Sequence, residues 1–102
     1  MLTLIKSIKM QKEPMLYDRE MYDYVARDLA LTYRYMDVSD HVVDVMISIM
    51  MHRDGVQRGG GFVEAIINNN LDDACSRADS ECIKYLRLFS LVKQFGHIRA
   101  NI

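Results

Sequence analysis

The chain has no tryptophan, one proline (Pro14) and two cysteines in 102 residues. With a single proline near the start, no proline breaks a helix beyond residue 14. Cys75 and Cys82 stand seven residues apart. That separation is an axial rise of ~10 Å on one helix, too far for a bridge. Both are read as reduced, buried thiols of a cytoplasmic protein. No apolar run reaches the ~18 residues of a membrane span. The opening residues lack the charged lead and long apolar region of a secretion signal. Strand-like alternation, internal repeats and low-complexity tracts are missing too, which leaves an all-α reading.

What is present is an apolar, methionine-rich chain. Half of the residues are hydrophobic and eight are methionine. That composition excludes general disorder and suits an adaptable partner surface. The net charge is −1, unevenly spread. Residues 1–12 hold three lysines and no acid, and residues 84–102 hold Lys84, Arg87, Lys93 and Arg99 and no acid. All fourteen acids lie between them. A nucleic-acid binder needs a denser basic patch, and the acidic middle argues against one. The basic ends are expected to support contact with a partner protein through Lys84, Arg87 and Lys93.

The chain divides into an arm, residues 1–14, and one helical domain, residues 15–102. The spacing predicts a first helix over residues 17–36. Tyr17, Met21, Tyr24, Val25, Leu29, Thr32 and Met36 share one face. Tyr22, Ala26 and Tyr33 widen it. Such a stripe usually faces a core, and otherwise offers a tyrosine-rich contact surface. Ser39 caps a second helix running to about residue 53. Its apolar residues cover most of the circumference. This places it either at the centre of the domain or in an interface of a homodimer or higher oligomer, with Val42, Val45, Met46, Ile49 and Met50 as the contact residues. A third helix over residues 62–69, a further turn or two over residues 71–78 and a last helix from Asp79 or Ser80 to Phe95 complete a bundle of four to five helices. Gly96 fits the position just past that last helix.

The triple glycine Gly59-Gly60-Gly61 cannot sit inside a helix cheaply, since each costs about 1 kcal/mol against alanine. It is a turn whose bare backbone can approach a ligand closely. With Arg53, Arg58 and Phe62 it is the candidate anion site, at the start of a helix. The lysine-serine/threonine ending of a phosphate loop is missing, as is the strand that should precede it.

Residues 53–95 carry a resemblance. Gly55, Gly61-Phe62, Ala65-Ile66-Ile67, Asn70-Leu71, Ala74, Arg77-Ala78-Asp79 and Phe89 follow a pattern of short helix, asparagine break and aromatic helix. This resembles a family of short uncharacterised all-helical proteins encoded by phages and prophages. Glycines stand here where prolines are common in that family. The resemblance implies a phage source and an accessory role, and it carries over no catalytic residue.

His41, Asp44 and His52 share a helix face. His41 and His52 are eleven residues apart, roughly 16 Å along the axis, and cannot hold one ion together. No histidine lies near either cysteine in sequence, so no nucleophile is expected. The sequence therefore predicts no catalytic residue, no metal site and no cofactor. It predicts a non-enzymatic phage accessory protein in the host cytoplasm. That protein binds and inhibits a host component, most concretely an antiviral defence protein. The alternatives are a small-ligand binder sequestering an anionic nucleotide at the glycine turn, and a nucleic-acid-associated structural protein.

Overall fold

The structure, a computed structural model, describes residues 15–97, with the side chains of residues 19–97. The arm, the basic residues 1–12 and the last five residues lie outside these. The chain forms an all-α bundle: α1 Met15–Thr32, α2 Asp40–Arg53, α3 Gly61–Ile67, α4 Leu71–Arg77, a 3-10 turn Cys82–Tyr85 and α5 Leu86–Phe95.

Helix α2 is the centre. Ser39 Oγ accepts the Val42 N–H at 3.2 Å and starts it. Seven of its side chains are buried, and α1, α3 and α5 all pack on it. Its wrap-around apolar pattern is met within one chain. Val42, Met46, Ile49 and Met50 are all 0% exposed, so they are not available to a second copy, and Val45 is only half-buried. This corrects the expectation of an oligomer interface on α2.

Helix α1 turns inward only the Tyr22, Ala26 and Leu29 side of the face the spacing singled out. Tyr22, Ala26, Leu29 and Ala30 are in the core, whereas Met21, Tyr24 and Met36 are exposed. Ala26 and Ala30 are the small side chains of that buried face, and a stripe weighted by large residues gives them little notice.

The helix ends share one device. Tyr35 N donates to Ala30 O at 2.8 Å, Val56 N to Met51 O at 2.8 Å and Asn70 N to Ala65 O at 2.9 Å. Each closure needs a left-handed residue just before it, here Arg34 (φ 69°), Gly55 (φ 77°) and Asn69 (φ 60°). Only one of the three is glycine. For this reason α1 stops at Thr32 rather than near Met36.

Asn70 Oδ1 caps α4 by accepting the Asp73 N–H at 3.1 Å. The expected continuous last helix instead begins as a 3-10 turn. Asp79 Oδ1 accepts the Cys82 N–H at 2.7 Å, and the Lys84 N–H bonds the Glu81 carbonyl at 3.1 Å in the tighter register. Helix α5 then buries Leu88, Phe89 and Val92.

Arg53, at the end of α2, closes the end of α5. Its Nη1 donates to Val92 O at 3.1 Å and Lys93 O at 3.0 Å, and its Nη2 to Gly96 O at 2.8 Å. Its Nε and Nη2 also grip both oxygens of Asp54. Gly96 is needed there for space: a Cβ would lie 2.7 Å from Val92 O and 3.0 Å from Met50 Sδ.

Candidate functional site

Three places carry the residues singled out by sequence. The glycine turn is the first. None of Gly59, Gly60 and Gly61 has a positive φ. A Cβ on Gly59 would lie 2.5 Å from Val63 Cγ1 and one on Gly61 2.7 Å from the Arg77 guanidinium, whereas Gly60 faces open space. Gly59 N donates to His52 Nδ1 at 2.9 Å, so this N–H is taken. Phe62 packs edge-on against Phe89, with centroids 5.6 Å apart. Arg53 is committed to the α5 carbonyls and Asp54, which corrects its assignment to an anion site here. Arg58 is exposed.

The cations of the last helix are the second. Lys93 Nζ donates to Ile66 O at 3.1 Å and to Asn69 Oδ1, tying α5 to the end of α3. It is half-buried and structural, a correction to its assignment as a partner-binding charge. The Arg87 guanidinium lies 6.0 Å from the ring centroids of both Tyr33 and Tyr35 and donates to Tyr35 Oη at 3.2 Å. Lys84 is exposed on the 3-10 turn.

The third is the outer face of α1. Met21, Tyr24, Val25 and Leu29 line a groove of about 740 Å³ whose far wall is Tyr33 and Phe95. Tyr24 is 72% and Phe95 55% exposed. Tyr33 and Phe95 stack with centroids 6.4 Å apart, which fixes the wall. Glu20, Asp28 and His97 also line the groove. An exposed apolar strip edged by carboxylates has the chemistry of an interaction surface rather than of a reaction centre.

The sequence reading missed one constellation. His41, in the first turn of α2, meets Asp79 and Cys82 at the start of the 3-10 turn. His41 Nε2 lies 2.8 Å from Asp79 Oδ2 and 3.7 Å from Cys82 Sγ. Nothing in the linear spacing could reveal this, because 38 and 41 residues separate the partners. Cys75, expected to be buried, is exposed; Cys82 is buried. Two facts weigh against a nucleophilic relay. In a relay the thiol and the carboxylate use opposite ring nitrogens, whereas here both converge on Nε2. The thiol is also pushed up to about 12, first by burial and then by the Asp79 carboxylate. A thiol so protonated at neutral pH is a poor nucleophile.

No helix among the described residues is long and apolar enough to cross a membrane. No protein-family model, curated protein or solved structure matches this chain.

Proposed function

We propose that this protein works without catalysis, by seating an apolar segment with basic flanks from a partner protein in the groove of α1 and Phe95. The observation that carries the reading is the chemistry of that groove. Met21, Tyr24 and Phe95 hold large apolar area in water, while Glu20 and Asp28 edge it with negative charge. Aromatic anchors beside carboxylates select a lysine- or arginine-flanked hydrophobic segment by both area and charge. The raised thiol of Cys82 adds support, since the one cysteine–histidine pair among the described residues is poorly poised for covalent chemistry. The resemblance of residues 53–95 makes the concrete form of the proposal a phage accessory protein that inhibits a host antiviral defence protein in the bacterial cytoplasm.

The test is capture from bacterial lysate by the full chain, followed by reconstitution with the purified partner. Tyr24→Glu and Phe95→Asp should each weaken binding by about 30-fold or more, as loss of a hot-spot anchor does. Leu71→Glu, on exposed α4, should leave it unchanged. Equal binding by all three variants would refute the proposal. A second copy in the same groove is the competing occupant, and a dimer by light scattering that Tyr24→Glu dissociates would identify it. The nucleotide reading loses two of its candidate residues, because Arg53 and the Gly59 N–H are engaged elsewhere.

A further inference from the structure

His41, Asp79 and Cys82 are held together more closely than a cap requires. Their ligand atoms, Nε2, a carboxylate oxygen and Sγ, all lie within 4.8 Å of one another. Asp79 uses Oδ1 to accept the Cys82 N–H and points Oδ2 at His41. One carboxylate oxygen therefore fixes the loop, and the other faces the His41 ring nitrogen. The three atoms belong to α2 and to the start of the 3-10 turn, two segments already locked by the core on either side. They edge an open groove of about 350 Å³ that also includes Ser48, Gly60 and Arg77.

From this convergence we infer that His41, Asp79 and Cys82 form a site for a borderline divalent cation of the zinc type, a site distinct from the groove on α1.

Imidazole, thiolate and carboxylate are the ligand set that zinc takes, at roughly 2.0 to 2.3 Å. Tetrahedral ligands at those lengths stand about 3.3 to 3.8 Å apart. The nitrogen–sulfur edge is 3.7 Å and already fits, while the nitrogen–oxygen edge is 2.8 Å and must open. That opening requires only rotation of two side chains that are each about half exposed. On binding, Cys82 loses its thiol proton to solvent and its sulfur donates an electron pair to the ion. His41 presents the lone pair of Nε2 with its remaining proton on Nδ1. The fourth corner faces the groove, where water completes the shell.

Cobalt(II) is the probe, added to the reduced full chain and read by absorbance. One equivalent should give a saturable thiolate-to-cobalt charge-transfer band and the intense visible bands of a tetrahedral ion. Zinc should bleach both. His41→Ala, at a half-exposed position that leaves the core intact, should lower the affinity by at least about tenfold. Cys82→Ser should abolish the charge-transfer band, and Cys75→Ser should leave it unchanged. Circular dichroism establishes that each variant is folded. A titration with no charge-transfer band would overturn the site. So would a cobalt affinity left unchanged by His41→Ala, or a band that disappears with Cys75→Ser.

Discussion

Arg53 Nη2 lies 2.8 Å from the carbonyl oxygen of Gly96, joining the end of the central helix to the end of the last one. With Nη1 on Val92 and Lys93, one guanidinium reaches three carbonyls at the end of α5, of which Val92 O also accepts the Gly96 N–H at 2.9 Å. Arg53→Ala takes this donor from the Lys93 and Gly96 carbonyls and strips Asp54 of its cation. It should destabilise the fold by about 2–4 kcal/mol, read from urea or guanidinium midpoints. Arg53→Lys should recover little, because an ammonium cannot reproduce the planar fork. A midpoint unchanged by Arg53→Ala would show that the cap carries no stability.

Arg34 closes α1 in the left-handed region at φ 69°. The conformation is costly for a residue with a Cβ. Arg34→Gly should stabilise the protein by about 0.5–1 kcal/mol once the added freedom of the unfolded chain is counted. That corresponds to a thermal midpoint roughly 3–6 °C higher. Asn69→Gly should gain less, because asparagine tolerates this region better. Calorimetry on the two variants checks the order.

The glycine turn gives a contrast between neighbours. Gly59→Ala drives a methyl group into Val63 and should cost roughly 1–3 kcal/mol. Gly60→Ala enters open space and should stay within about 0.5 kcal/mol of the native chain. Paired denaturant titrations distinguish the two. Equal effects would mean that packing against Val63 is not what requires a glycine at this turn.

Much of the fold was legible in the chain. The all-α class, the cap at Ser39, the asparagine break before α4 and the end of the last helix follow from local chemistry. The fate of α2 was not legible. A helix apolar all round reads the same whether its neighbours belong to its own chain or to another, and only the packing of α1, α3 and α5 decides it. The face of α1 was placed only in part: Tyr22, Ala26 and Leu29 are buried, whereas Met21 and Tyr24 are exposed, and the buried Ala30 carries too little hydrophobic weight to stand out. The His41–Asp79–Cys82 cluster was invisible for a different reason. It is made by tertiary packing of α2 against a loop, and no spacing rule spans such a distance. Arg53 was placed at the glycine turn by proximity in sequence, whereas its side chain reaches the other way, to α5.

Asp79 makes the fold sensitive to acid. The Cys82 backbone N–H, and then His41, hold its carboxyl down to about 2, against an unfolded value of about 3.9. The folded state therefore favours the ionised form. The stabilisation is fully present above about pH 4 and is lost as pH falls through about 2. Asp54 is lowered in the same direction, chiefly by Arg53 and also by Tyr22. Asp79→Ala should lower the urea midpoint at pH 7 and flatten its decline between about pH 4 and 2. Parallel acid limbs in the two proteins would contradict the assignment.

Side-chain footprinting of the chain bound to its captured partner tests the docking groove most directly. Hydroxyl radicals oxidise methionine, tyrosine and phenylalanine, so the exposed Met21, Tyr24 and Phe95 report on the groove, while Leu71 and Ile83 report on other faces. The groove reading predicts that Met21, Tyr24 and Phe95 become protected together in the complex, with Leu71 and Ile83 as reactive as in the free chain. Protection confined to Leu71, Ile83 or the glycine turn, with Tyr24 and Phe95 still oxidised at the free rate, would contradict it.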